Sequence, residues 1–365
     1  MIKKKIPDLI LLSIVFVLTL LAANYVVSFY LNKHLWKEAR INDDFLHFYR
    51  KYENELNHLR GVFLVKDKMQ KPHNYMFHVI GSGEKQVLIN GDSWSEKFYL
   101  VNDSYKSFNE HSVLHKNIKF ILSGITSYSP TLHSIQARIL REDFNFNPEH
   151  VFTVIDNTDI GDELCRYRRY RNSVDGKLKV RSFTYNDQMA AYNQHALLRM
   201  HEILNSNRIS LVKLSQLVYV RLEDKYYAAI SENRCGWSKI SIPLYNGLSD
   251  SEKKYFVDRL LEYMVEIEKF SNVNNLTFLT VPHKNNLKGI YKLSVSELVD
   301  VAINNYKGSI KIHHINHEFL YEMYERGELD LEATYQKDDP GSHLSEWGHT
   351  TYLLPSVLSN LNYND

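Results

Sequence analysis

Four short apolar runs, each closing on a glycine or a polar residue, constrain most strongly what this 365-residue chain can fold into. Val87, Leu88 and Ile89 lie between Gln86 and Asn90 and end on Gly91; Ile118 to Leu122 ends at Gly124. Val151 to Ile155 ends at Asp156, and Leu276 to Val281 stops at Pro282. Continuous apolar runs of this length read as strands buried on both faces. Helical patterns separate them, among them Thr131 to Arg141. A second opens at Ser249, with Glu252 completing a capping box and Phe256, Leu260, Leu261, Met264 and Ile267 on one face. Strands alternating with helices predict an α/β fold whose parallel sheet is covered on both sides. Ligands of such sheets bind beyond the carboxyl ends of the strands, where this chain carries its polar motifs.

The N-terminus follows another logic. Lys3, Lys4 and Lys5 precede an uncharged run from Leu9 to Leu31, and Lys33, Lys37 and Arg40 follow it. As a helix that run rises about 35 Å, enough for a hydrocarbon core of about 30 Å. A signal peptide cleaved after Ala22-Ala23 is the rival reading, but its apolar region should stop there, whereas this one continues through Val26, Val27 and Phe29. The expectation is an uncleaved single-pass anchor in an inner membrane. The lysine tail stays in the cytoplasm and the rest lies on the periplasmic, extracytoplasmic side.

The expected organisation is a tail and anchor over 1–36, a lead-in over 37–84 and one large domain over 85–365. Ile41, Phe45, Phe48, Tyr52, Leu56 and Leu59 mark one face of a stalk helix in the lead-in. Residues 162–245 break the strand–helix alternation and read as an insertion or cap. They contain a hairpin around Asp175-Gly176 and a helical stretch from Gln188 to Leu204. A net charge of +1 gives no reason to expect a nucleic-acid partner. Cys165 and Cys235 could pair in an exported protein, and two thiols alone build no metal site. Neither a cofactor nor a metal is expected.

Two polar stretches carry the chemistry. Asn90-Gly-Asp-Ser-Trp-Ser95 directly follows the first strand. A serine at a strand-to-helix turn holds its hydroxyl at the sheet edge and its own N–H at a helix N-terminus, so it can attack a carbonyl and help bind the oxyanion. Near the other end stands Asp338-Asp-Pro-Gly-Ser-His-Leu-Ser-Glu-Trp-Gly-His349, which offers an imidazole to take the Ser93 proton and a carboxylate to orient it. This stretch resembles the last sequence block of SGNH/GDSL hydrolases, and the Gly-Asp-Ser turn resembles the first. Ser123-Gly-Ile-Thr-Ser-Tyr-Ser-Pro130 is similar to the second block, and Val154-Ile-Asp-Asn-Thr-Asp-Ile-Gly-Asp-Glu163 occupies the place of the third.

The resemblance covers about residues 85 to 355 and implies a flavodoxin-like three-layer α/β/α sandwich. It implies Ser93 as nucleophile, His343 as base, and N–H groups of Ser93 and Gly124 in the oxyanion hole. Two departures leave alternatives. Position 340 is proline where the family pattern places the aspartate, so the carboxylate is Asp339 or, one residue upstream, Asp338. The third-block asparagine that supplies an oxyanion donor aligns with Thr158, while Asn157 lies one residue early. Asp159 and Asp162 read as loop-ordering residues.

Trp94, Tyr128 and His283 are expected along the substrate cleft, with Trp94 a stacking platform beside the nucleophile. His313 and His317 have a spacing that suits zinc on a helix, but lack the glutamate of an HExxH motif. His349 reads as a fastener of the terminal helix. The arginines from 166 to 171, interleaved with Tyr167 and Tyr170, read as a solvated hairpin strand or as a grip on a polyanionic glycan. The form Asp-x-Thr-Asp-Ile resembles the branch of the family found with bacterial surface-polysaccharide acylation. It implies an esterase or O-acetyltransferase acting on envelope carbohydrate. A lipase on the same triad and a non-catalytic glycan-binding subunit are the rivals.

Overall fold

The computed structural model describes residues 5–31, 77–115, 117–126, 128–168, 171–174, 177–180, 202–204, 206–231, 247–291, 293–337, 339 and 343–361. A six-stranded sheet organises the large domain. Its strands are β1 (His78–Ile80), β2 (Lys85–Gly91), β3 (Ile118–Leu122), β4 (His150–Ile155), β7 (Asn275–Thr280) and β8 (Lys311–Asn316). They lie in the order β1-β3-β2-β4-β7-β8, all pairs parallel except β1 against β3. A separate antiparallel pair, β5 (Arg171–Val174) and β6 (Lys177–Val180), flanks Asp175-Gly176.

Alternation along the strands splits the apolar side chains between two cores. Val87, Ile89, Phe120, Leu122, Phe152 and Val154 face one side and pack with Trp94, Phe98, Phe108, Leu353 and Val357. Leu88, Ile121, Val151, Ile155, Leu276 and Phe278 face the other and pack with Leu132, Ile135, Phe256, Leu260 and Val299. Helices therefore cover both faces, giving three layers. The five parallel strands have the flavodoxin-like order, and the chain leaves β2 in opposite directions for β3 and β4. The crevice of such a sheet opens at that reversal.

The four runs read from the sequence are β2, β3, β4 and β7. Two strands were not visible there. β1 has only three residues, and β8 is an edge strand, Lys-Ile-His-His-Ile-Asn, with two apolar residues. The helical spacing considered for His313 and His317 is thereby corrected, because His313 stands in a strand, where residues four apart are separated by about 13 Å, and His317 lies just past its end. His314 bonds to Asp300 (2.7 Å) and Thr280 Oγ1 (2.8 Å), whereas buried His317 bonds to the Thr280 carbonyl (2.9 Å) and Ser356 Oγ (2.8 Å).

The helix Lys5–Tyr30 precedes the domain, and its segment Leu12–Tyr30 is long and apolar enough to cross a membrane. The stalk expected over 41–59, most of Gln188–Leu204 and Cys235 lie outside the described residues, as does any pairing of Cys165 with Cys235. Arg168 lies over the Tyr255 ring (4.7 Å) and Arg171 pairs with Glu262, so these two arginines pack on the helix Asp250–Glu268.

Two glycines let β2 and β3 converge on the turn that carries Ser93. Gly91 has φ +141°, and a Cβ there would lie 2.2 Å from Ser95 Oγ and 2.8 Å from the Val154 carbonyl. A Cβ on Gly124 would lie 2.3 Å from Glu96 N and 2.4 Å from the Ser95 carbonyl carbon. The loop after β3 thus rests directly on the backbone of the helix Ser93–Leu100. Gly91→Ala is expected to cost about 1–3 kcal/mol through backbone strain alone, with the clash adding to it. A lower denaturation midpoint of the full-length chain would show this, and an unchanged midpoint would mean that the turn relaxes without cost.

Candidate active site

Asp92 ends the turn after β2 and caps the helix Ser93–Leu100, its Oδ1 accepting the Trp94 N–H at 2.9 Å. An aspartate is a strong cap because its carboxylate satisfies a helix donor that has no partner in the helix. Ser93 follows at the first helical position and remains partly exposed, while Trp94, Ser95 and Phe98 face the core.

His343 reaches this point from the far end of the chain. An antiparallel bridge between Tyr335 and Leu344, with Gln336 N–H donating to the His343 carbonyl (2.9 Å), fixes its backbone. The Tyr335 hydroxyl in turn donates to the Pro282 carbonyl beyond β7 (2.8 Å). His343 Nε2 is hydrogen-bonded to Ser93 Oγ, and Nδ1 to Asp339 Oδ2. That oxygen also accepts the His343 backbone N–H at 2.8 Å, so one carboxylate holds both the ring and its chain. The four-residue separation between Asp339 and His343 is accommodated in this way. Asp338 lies outside the described residues. With Nδ1–H donated to Asp339, Nε2 is left as an acceptor for the serine hydroxyl.

The N–H groups of Ser93 and Gly124 are engaged by no hydrogen bond among the described residues, although Ser123 and Ile125 N–H, on either side of Gly124, both are (2.7 and 3.0 Å). Gly124 is further pinned by the Tyr99 hydroxyl, which donates to its carbonyl at 2.8 Å. Two open N–H groups beside a serine at a helix N-terminus form a site suited to an oxyanion. The donors considered at the third position are spent elsewhere. Asn157 Nδ2 donates to Asn286 Oδ1 and to the Leu293 carbonyl (3.3 Å), and Asn157 Oδ1 accepts the Val295 N–H (2.7 Å). The N–H and hydroxyl of Thr158 both go to Asp156 Oδ1, at 2.7 and 2.6 Å. The Asp-Asn-Thr-Asp sequence is a capping box for the short helix Asn157–Gly161, with Asp159 returning to the Asp156 N–H (3.0 Å).

Burial corrects the expected substrate contacts. Trp94 and His283 are each 1% exposed and Tyr128 is 0% exposed, so none presents a face to a ligand. The Trp94 ring instead lies 5.9 Å from that of His343, packed from inside. His283 caps the helix Lys284–Leu287, with Nδ1 accepting the Asn285 N–H at 3.1 Å. Near His343 in the chain it is Trp347 that is exposed, its edge against Tyr352 at 5.6 Å. His349 is buried against Phe98 and bonds to Ser104 Oγ (3.0 Å), tying the terminal helix to the domain.

A feature not read from the sequence lies beneath the serine. The carboxylates of Asp92, Asp156 and Asp159 are all buried with oxygens within 4.8 Å of one another. Among the described residues this is the group placed closely enough to hold a metal ion, and shared protons relieve the same repulsion. Burial, then the neighbouring Asp156, pushes Asp92 well above the usual carboxylate range. Burial, then Asp92 and Asp156, does the same to Asp159. Asp156 is raised by burial against the pull of Thr158 and His343. The available signal was that Asp92 and Asp156 end adjacent parallel strands.

No family model matches the chain, and no curated protein matches it. Among solved structures it is similar to LAE5, an alpha/beta hydrolase enzyme from the metagenome of Lake Arreo, Spain. The identity is 10%, over 76% of this chain and 95% of that one, with a TM-score of 0.37. It is also similar to the acetyl xylan esterase Est2A from the rumen bacterium Butyrivibrio proteoclasticus. Here the identity is 8%, over 78% of this chain and 66% of that one, with a TM-score of 0.35. At these levels the likeness adds nothing to the strand order and packing described above.

A carboxyl group raised by burial binds its proton more tightly folded than unfolded. Its stabilising contribution is complete below the unfolded value and is lost as pH rises through the folded one. Asp92→Asn removes the charge yet keeps an oxygen to cap Trp94. Its melting temperature relative to wild type should therefore climb as pH is raised from 4 to 8. A difference that stays flat, or shrinks, would show that Asp92 carries no excess proton affinity.

Proposed function

We propose that the protein is a serine-dependent hydrolase or O-acyltransferase of the SGNH/GDSL type, acting on O-acetyl groups of cell-envelope carbohydrate. One observation carries the chemical part of this reading. The row Ser93–His343–Asp339 comes together from opposite ends of the chain, beside two open N–H groups, at the crevice of the sheet. Ser93 Oγ attacks the acyl carbon while His343 Nε2 takes its proton, and Asp339 stabilises the imidazolium that results. The N–H groups of Ser93 and Gly124 hold the oxyanion, each such donor contributing roughly 3–4 kcal/mol in comparable sites. The imidazolium then protonates the departing alcohol, leaving an acyl-serine. Water, or a sugar hydroxyl, gives its proton to His343 as it attacks that ester. The second tetrahedral intermediate collapses with the proton returned to Ser93. Hydrolysis and transfer differ only in this acceptor.

Two features support the carbohydrate part. Trp347 lies four residues beyond His343 and offers an exposed aromatic surface of the kind on which sugar rings stack. The apolar helix Leu12–Tyr30 would anchor the domain at the envelope membrane, facing the extracytoplasmic side. The expected tail, anchor, lead-in and large domain fit that arrangement.

Treatment with a fluorophosphonate should add the probe at Ser93 by mass spectrometry; no adduct would leave a non-catalytic glycan-binding role. Ser93→Ala and His343→Ala should each lower aryl acetate hydrolysis by about 10³-fold or more, and the double variant by little further, because the residues act as a unit. Additive losses would reject that assignment. Asp339→Asn should cost more than Asp338→Asn. Among p-nitrophenyl esters, acetyl should be preferred; a maximum at long chains would make the enzyme a lipase.

A further inference from the structure

The helix Ser210–Ser231 packs against the C-terminal end of the apolar helix Lys5–Tyr30. Leu217 and Val220 are buried with Leu31 and Leu204, and Val27, Ile203 and Leu214 join them. The contact includes one polar tie, in which the Leu211 N–H donates to Asn24 Oδ1 at 3.2 Å. That N–H belongs to the first turn, where the helix supplies no acceptor. Asn24, a polar residue inside the uncharged run, thus has a partner. Contacts with Asn24 near residue 211, and with Leu31 near residues 217 and 220, mean that the two helices ascend side by side.

The opposite face of the same helix is also apolar. Val212, Val218, Tyr219 and Leu222 are 38%, 49%, 60% and 61% exposed, and Ile209, just before the helix, is 61% exposed. Residues 212, 215, 219 and 222 recur at three- and four-residue steps and so form one stripe. Its polar member, Ser215, returns its hydroxyl to the Val212 carbonyl at 2.8 Å. Lys213 is drawn off the stripe, its Nζ donating to the Leu204 carbonyl at 2.9 Å. A helix apolar on two opposite faces is at home in a core or in lipid. Its inner face is covered by the anchor, and its outer face is exposed and apolar, as the anchor's own surface is.

We propose that residues 209–222 form a second membrane-contacting element. It is seated in the interfacial layer where the anchor leaves the bilayer, with Val212, Val218, Tyr219 and Leu222 in contact with lipid. The occupant is the bilayer because the stripe adjoins a helix already long enough to span it. Tyrosine at position 219 suits the boundary between acyl chains and headgroups. The inference rests on the anchor reading above. Its consequence is that the inserted segment, as well as the N-terminus, holds the domain against the membrane.

The test uses the full-length chain, with Cys165→Ser and Cys235→Ser, reconstituted in phosphatidylcholine–phosphatidylglycerol vesicles. An environment-sensitive fluorophore is attached at Val218→Cys, or at Val301→Cys on the distant helix Val295–Asn305, where the native side chain is 45% exposed. The Val218 probe should emit to the blue of the Val301 probe, be quenched by doxyl-labelled lipid and resist aqueous iodide. A protein that floats with vesicles but whose Val218 probe is quenched by iodide overturns the inference while sparing the anchor. A Val218 probe shielded from both quenchers also overturns it and assigns the face to another polypeptide. A chain that fails to float at all overturns the anchor reading, and the inference with it.

Discussion

The approach of two backbones at Gly124 is the contact on which the site depends. With no Cβ there, the loop after β3 lies against the backbone of Ser95 and Glu96, at distances no other residue could adopt. The same contact leaves the Gly124 N–H open near the first turn of the Ser93 helix. Gly91 works from below by turning the chain out of β2 at a positive φ, so that Asp92 can cap and Ser93 can face the crevice. A side chain at either glycine would push the loop after β3 or the end of β2 off the backbone and side chain of Ser95. The histidine adds a constraint of much longer range. It bonds across 250 positions of sequence, so the site exists only once β2, β3 and the C-terminal turn have docked on the same edge.

What could be read from sequence followed from burial. The central strands are buried on both faces, which forces continuous apolar runs, and glycine or a polar residue ends each at the carboxyl edge. The edge strands escape this rule. β8 is half exposed and alternates little, so its histidines looked like a ligand spacing. The sequence left Asp339 and Asp338 both open; the structure places Asp339 against both the ring and the backbone N–H of His343. The fates of Asn157 and Trp94 were not legible. The asparagine amide is used to join residues 286, 293 and 295, contacts that no local pattern encodes. Trp94 neighbours Ser93 in sequence but shares the core-facing side of its helix with Phe98, four residues on.

The region between β4 and β7 shows the same limit from another side. Its strands flank an Asp-Gly pair and were legible as a hairpin, a purely local signal. The packing of Leu217 and Val220 on Leu31 joins segments nearly two hundred residues apart. The helix Ser210–Ser231 was not read from the sequence, since no local pattern shows which of its faces meets protein.

Asp92 unites these observations. Its Oδ2 lies 3.1 Å from Ser93 Oγ, so it competes with His343 Nε2 for the one hydroxyl proton. An ionised carboxylate is the stronger acceptor and would draw the proton away from the imidazole. Burial, together with the charges of Asp156 and Asp162, opposes that ionisation. A protonated Asp92 is instead a donor, able to point at a serine lone pair while the serine hydroxyl points at the imidazole. The Ser93 hydroxyl thus stands between two groups, the Asp92 carboxyl beneath the turn and the imidazole that Asp339 holds from the far side. One carboxyl is pushed up by burial among its neighbours, and the other, part-exposed, is hydrogen-bonded twice by His343.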